Sequence, residues 1–288
     1  MTRIVLGLAL ATAVTSGSYV AEVEAWRQKR EERLKADGGW LSVEGLFWLE
    51  RGETSFGSDK GNGIVLPASV SPRAGVVILT SSAETRFRLA PGVSATMAGQ
   101  AVTEGVLRPD SDDVLVLGPV TIQVIDRGGR KAIRMKDQDS ARRRGFKGLR
   151  WYPVRERFRL AARWVPYATP KNIDIASITG QVDPMPSPGY AEFELGGKTL
   201  RLEPVLEEPG ASQLFFIFKD QTAPKETYGA GRFLYAAPPA DGKVELDFNK
   251  AYSPPCAFTP YATCPLPPKQ NRLPVRIEAG ELDPHVLH

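Results

Sequence analysis

The chain has 288 residues, 42% hydrophobic and 24% charged, with a net charge of +4, the composition of a globular protein and not of a disordered one. Its mean hydropathy of −0.23 excludes a polytopic membrane protein. Its two histidines, His285 and His288, exclude a Ser-His-Asp triad or a His-rich metal site in the body of the fold. Two cysteines, Cys256 and Cys264, cannot build a four-thiolate zinc site, and neither metal nor cofactor is expected.

The first 18 residues carry Arg3, an apolar run from Ile4 to Val14, and small residues at Ser16 and Ser18, followed by Ala21 and Ala25. That is the form of a signal peptide, and the apolar run is too short for a membrane span. The expectation is a signal peptide over residues 1–21, cleaved between Ser16 and Ala25, and a periplasmic or secreted protein. The competing reading is a buried N-terminal strand or helix. Val20 to Lys35 predicts a helix, because Val23, Trp26, Arg30 and Leu34 share a face at spacings of three and four, and Gly38-Gly39 ends it.

After the helix, short apolar runs recur between glycine, proline and aspartate: Ile64–Leu66, Val76–Leu79, Val114–Leu117, Val120–Ile125, Phe158–Val165, Leu214–Phe218, Val244–Phe248 and Leu273–Ile277. Many short strands at such spacing predict sandwiches or barrels. The fold class is therefore mainly β: an N-terminal helix followed by two β-sandwich or barrel-like units, over 22–145 and 146–288. The segment from Ser253 onward holds 8 of the 24 prolines and reads as irregular but fixed by packing.

Charge is uneven. Arg127 to Arg163 holds 14 Lys and Arg against 3 Asp and Glu, a local +11. Such asymmetry can focus a field on an anionic ligand or an anionic envelope surface, or it can be a solvated basic face. Nucleic acid is not an expected partner for an exported chain.

Several strings are distinctive: WRQKREERLKADGGWLSVEGLFWLERGETSF from Trp26 to Phe56, RMKD from Arg134 to Asp137, FKGLRW from Phe146 to Trp151, TYGAGRFL from Thr227 to Leu234, and LDFNKAYSPPCAFTPYATCPLPPKQNRLPVRIEAGE from Leu246 to Glu281. With these, nearly the whole mature chain resembles the bacterial family of unknown function numbered 1684. The resemblance implies a mostly β fold and no assigned activity.

Four constellations could carry chemistry. On a strand from Val244, Asp247 and Asn249 face away from Val244, Leu246 and Phe248; they either line a polar pocket or organise the turn that follows. Gly229 and Gly231 lead into Arg232, placed to grip a carboxylate or phosphate, or to pair with Asp247. Asp220 ends the apolar strand Leu214–Phe218, at a functional position or in a plain turn. Cys256 and Cys264 form a disulfide, hold a metal with help, or stay free. The leading functional expectation is a binding module for a small ligand, an anion or a glycan, around Arg232, Asp247 and Asn249, with Asp220 nearby and Tyr228 and Tyr252 as walls. The alternatives are a carboxylate-based hydrolase using Asp220 and Asp247, and an envelope interaction protein with a basic face.

Overall fold

The structure, a computed structural model, describes residues 16–285. Residues 1–15 of the expected signal peptide, and His288, lie outside the described residues. Helix α1 (Ser16–Lys35) buries Tyr19, Val23, Arg27, Arg30 and Leu34 on one stripe, the i, i+4, i+8 pattern of an amphipathic helix. It stops at Gly39, where a Cβ would sit 2.4 Å from the Leu34 carbonyl oxygen, so only glycine fits the chain reversal.

Eleven strands follow: β1 (Val43–Trp48), β2 (Gly52–Gly57), β3 (Ile64–Val65), β4 (Gly75–Leu79), β5 (Thr85–Leu89), β6 (Thr96–Met97), β7 (Gln100–Ala101), β8 (Glu104–Val106), β9 (Leu115–Leu117), β10 (Val120–Arg127) and β11 (Arg130–Asp137). They form a six-stranded sheet in the order β1-β11-β10-β9-β6-β7 and a five-stranded sheet in the order β3-β2-β4-β5-β8. The sheets share one core, with Phe56, Val77 and Phe87 from one and Val120, Ile122, Ile133 and Met135 from the other. That is a sandwich, in which alternate side chains of each sheet point inward. Gly128 and Gly129, at φ +61° and +79°, make the two-residue turn between β10 and β11, because this hairpin turn needs positive φ at both positions.

After a short helix α2 (Ala141–Gly145) come β12 (Arg159–Ala176), β13 (Val182–Leu195), β14 (Lys198–Leu202), β15 (Leu214–Phe218), β16 (Arg232–Ala236) and β17 (Lys243–Asp247). Four of them pair as β14-β13-β12-β17, and β15 pairs with β16 alone. The β15–β16 ribbon is covered on both faces: Leu214, Phe216 and Phe218 enter one core with Phe158, Leu246 and Phe248, while Phe215 and Ile217 enter another with Ile173, Ile175 and Cys264. Double burial explains why this strand is an unbroken apolar run rather than an alternating one.

Three expectations need correction. The strand expected over Phe158–Val165 extends to Ala176, with a register shift between Pro166 and Lys171. The alternation from Val244 ends at Asp247, and Phe248–Lys250 is a single 3-10 turn, so Asp247 and Asn249 are both buried. Leu273–Ile277 is not a strand. Its alternate residues Leu273, Val275 and Ile277 are buried, but Pro274 has no N–H to donate, and the Ile277 N–H goes to the Asp220 carboxylate at 2.7 Å.

Candidate functional site: an arginine and aromatic cleft

The main cleft has a volume of about 720 Å3 and is lined from both halves of the chain. The sandwich contributes Asp126 and Arg127 at the end of β10, the Gly128 turn and Arg134 of β11. Helix α1 contributes Arg30, and the turn after it Trp40. The β12–β13 hairpin brings Gln181, Asp183 and Met185; the β15–β16 ribbon brings Phe215, Phe233 and Tyr235; Tyr252 and Cys264 come from the proline-rich tail.

The aromatic wall is a column. Phe215 and Tyr235 stack with centroids 4.7 Å apart and planes 18° apart. Tyr235 and Tyr252 lie at 16° and 6.4 Å, and the Arg30 guanidinium caps Tyr252 at 4.5 Å, a favourable cation–π position. Tyr235 donates its hydroxyl to Glu207 at 2.6 Å. Arg30 is held from behind, its Nη2 donating to the Ser253 carbonyl at 2.9 Å and its Nε facing Glu281 at 3.4 Å.

Arg134 is different. It is 7% exposed, and its guanidinium lies over the Trp40 ring at 4.9 Å. Among the described residues its Nε and Nη2 have no hydrogen-bond partner. Burial, and then the neighbouring Arg127 charge, push its pKa down to about 10, so it still carries its charge at neutral pH. A buried, charged guanidinium without acceptors is costly. Arg127, beside it, is engaged: Nη1 reaches Asp110 at 3.0 Å and Nε reaches Thr263 at 3.2 Å.

Of the residues singled out in the sequence, Tyr252 and Cys264 line this cleft. Arg232 is 1% exposed and pairs with Asp220 at 3.0 Å, not with Asp247; its Nη2 also donates to the Ile277 carbonyl at 3.0 Å and its Nη1 to the Ala279 carbonyl. Asp220 further accepts from the Thr222 hydroxyl at 2.9 Å. This pair fastens the irregular tail to the β15–β16 ribbon. Gly231, at φ +106°, would place a Cβ 2.5 Å from the Phe218 carbonyl oxygen; its glycine permits close packing of that ribbon. Asp247 accepts from Tyr19 at 2.7 Å and from the Asn249 N–H at 3.2 Å. The Asn249 side chain donates to the Arg155 carbonyl and accepts from the Arg155 N–H, both at 3.0 Å. Asp220 and Asp247 thus have separate sets of partners. Tyr228 donates to the Cys256 carbonyl at 3.0 Å. Cys256 donates its N–H to Cys264 Sγ at 3.1 Å, and both thiols are free. Among the described residues no cluster of three or more His, Cys, Asp or Glu could hold a metal.

Sequence reasoning missed Arg134, Arg30 and Trp40 as site residues. The signal was an arginine inside the apolar stretch Ala132–Met135, where four successive residues are buried. Elsewhere in the basic segment, arginines are paired: Arg142 with Glu44, Arg143 with Asp37 and Arg159 with Glu245.

Fold and cleft together define a mostly β chain with a helix-capped cleft lined from its two halves. Residues 144–282 match the sequence profile of a family described as "Protein of unknown function (DUF1684)", so the resemblance read from the motifs holds over that span. The strings at Trp26–Phe56 and Arg134–Asp137 lie outside the matched residues. No curated protein matches. Among solved structures, the chain is similar to the uncharacterized protein from gene locus rrnAC0354 of Haloarcula marismortui, solved by NMR, at 29% identity and a TM-score of 0.42, over 49% of this chain and 78% of that one. It is also similar to the FhaA FHA domain complexed with the intracellular domain of Rv3910 (18% identity, TM-score 0.23, 32% of this chain and 97% of that one). A third is the Slr1951 protein from Synechocystis sp. (16% identity, TM-score 0.23, 32% and 92%).

Proposed function

We propose that this chain is a binding module for a small anionic ligand, with its site in the Arg134 cleft rather than around Arg232. The single observation that carries the reading is that Arg134, buried and with two nitrogens that have no hydrogen-bond partner among the described residues, lines a cleft of ligand size. Clefts of about 300–1,000 Å3 lined by aromatic groups with a few placed polar ones are where small ligands bind, and a guanidinium fork suits a carboxylate or phosphate. The hydrolase reading has no such support, because Asp220 and Asp247 each hold other groups. Calorimetric titration with small carboxylates and phosphate tests the site. Binding that Arg134→Met removes, in a folded protein, is the expected result; no heat with any of them contradicts it.

The same reading includes export and a Cys256–Cys264 disulfide. Export rests on the Arg3, Ile4–Val14 and Ser16 pattern. The bridge is supported by the 3.1 Å approach of the Cys256 N–H to Cys264 Sγ, and an oxidising compartment would favour it. Tyr19 is buried and bonded to Asp247, so cleavage in the chain proposed here falls before Tyr19.

A further inference from the structure

We propose that Cys256 and Cys264 are a hydroperoxide-reducing thiol pair, in which Cys256 attacks the peroxide and Cys264 resolves the product into a disulfide. This is independent of the anion site, and it makes the bridge the oxidised state of a pair that turns over. Three features bear on it. The first is the approach of the two residues. Both thiols are free, and the Cys256 N–H donates to Cys264 Sγ at 3.1 Å. The segment around them is fastened: the Ala257 N–H goes to the Pro254 carbonyl at 2.9 Å, the Ile178 N–H to the Cys264 carbonyl at 2.9 Å, and Thr259 Oγ1 to the Val43 carbonyl at 2.8 Å. Packing has thus already brought the reacting groups together, which removes most of the entropic cost of their meeting.

The second is the difference between the two sulfurs. Cys264 is 4% exposed and sits in an apolar cluster with Val205, Phe215 and Phe233, whereas Cys256 keeps partial exposure. The Cys264 thiol, opposed by burial, and then the Tyr228 hydroxyl lower the Cys256 pKa. The contact with Cys256, and then burial, push Cys264 up. Burial, and then the neighbouring Cys256, raise the Tyr228 pKa. Its hydroxyl therefore keeps its proton and remains a donor beside Cys256, whose carbonyl it holds at 3.0 Å. A partly exposed cysteine of lowered pKa beside a resolving cysteine is the arrangement of oxidant-reactive sites, while thiols buried in apolar surroundings are inert.

The third is size. One oxygen atom added to Cys256 is a small change at a half-buried sulfur, whereas a mixed disulfide needs room for a second thiol compound. The Cys256 thiolate attacks one peroxide oxygen, the O–O bond breaks, and the leaving oxygen takes up the proton that Cys256 had shed. Cys256 is left as a sulfenic acid. The Cys264 sulfur then attacks the Cys256 sulfur, the S–S bond forms, and the sulfenic hydroxyl leaves with the Cys264 proton as water. The peroxide gains the two electrons that the two thiols lose. A dithiol reductant restores both thiols by exchange through the bridge.

The test uses the full chain, reduced with dithiothreitol, freed of reductant and mixed with hydrogen peroxide at pH 7. One equivalent is expected to consume both thiols and remove two hydrogens from the intact mass. The reaction should run at least about tenfold faster than that of free cysteine, of which only a few per cent is thiolate at this pH. Cys264→Ser, which keeps a donor beside Cys256, should react as fast but stop at a Cys256 sulfenic acid that dimedone traps. Cys256→Ser should lose the fast reaction, and Tyr228→Phe should slow it severalfold. Dithiothreitol should restore both thiols of wild type. Circular dichroism establishes that each variant is folded. A wild-type rate equal to that of free cysteine overturns the activity. Fast dimedone trapping on Cys264 in Cys256→Ser overturns the assignment of roles. Glutathione disulfide oxidising the pair faster than peroxide does overturns the choice of oxidant. A bridge that dithiothreitol cannot open in the folded protein overturns the cycle and leaves a structural disulfide.

Discussion

The Tyr19 hydroxyl donates to Asp247 Oδ1 at 2.7 Å, joining the start of α1 to the end of β17 across 228 residues. Asn249 closes the triangle by donating to Tyr19 Oη at 2.9 Å. Further along the same helix stands Arg30, the cap of the aromatic column. Tyr19 therefore helps seat the helix that delivers a cleft residue. Tyr19→Phe removes one hydrogen bond to the buried Asp247, which keeps the Asn249 N–H, and is expected to cost about 1–3 kcal/mol in urea unfolding. A change below a few tenths of a kcal/mol would show that the contact does not seat the helix.

The Arg232–Asp220 pair is buried on both sides, each side chain 1% exposed. Removing one partner of such a pair leaves an uncompensated charge and costs about 3–5 kcal/mol. Both Arg232→Met and Asp220→Asn are expected to lose stability on that scale. The double variant Arg232→Met/Asp220→Leu should recover part of the loss, measured by a double-mutant cycle in denaturant. Additive single losses would contradict the pairing.

The mostly β class was legible because strand chemistry is local. Leu214–Phe218 is the strand its apolar run announces, and Val23 and Leu34 mark the buried stripe of α1. The site was less legible because pairing is not local. Arg232 and Asp247 each read either as a binding group or as part of an internal contact, and neither distant partner could be named: Asp220 lies 12 residues from Arg232, and Tyr19 lies 228 from Asp247. Periodicity failed at Phe248, where Asp247 turns the chain by accepting the Asn249 N–H at 3.2 Å. Nothing in the local text around Arg134 states that it lacks an acceptor; that follows only once α1, β11 and the tail are packed.

Glu281 is fully buried, and burial raises its carboxyl above the usual 4.5 despite Arg30 nearby. The native state then keeps this proton over a pH range where the unfolded chain has released it. The stability attached to it is full below about pH 4.5 and is lost as pH rises through the native value. Unfolding free energies of wild type and Glu281→Gln, followed from pH 4 upward, should diverge in favour of the variant over that window. A pH-independent difference would contradict the raised value.

In the reduced protein the Cys264 thiol lowers the pKa of Cys256 by hydrogen bonding, while that same contact and burial push Cys264 up. Thiolate is the reactive form, so iodoacetamide is expected to modify Cys256 first and Cys264, at 4% exposed, much later. In protein recovered unreduced from an oxidising compartment neither should react. Two reactive thiols there would rule out the bridge.

The most direct measurement is the thermal midpoint of wild type and Arg134→Met, each with and without benzoate. If Arg134 is kept charged and unpaired for a ligand, replacing it by an apolar side chain of similar length should leave the midpoint unchanged or raise it, since the cost of burying the charge disappears. Benzoate should then raise the midpoint of wild type by mass action and leave that of the variant where it is. An Arg134→Met protein that melts well below wild type, with benzoate shifting neither, would show that Arg134 holds the fold together and binds nothing.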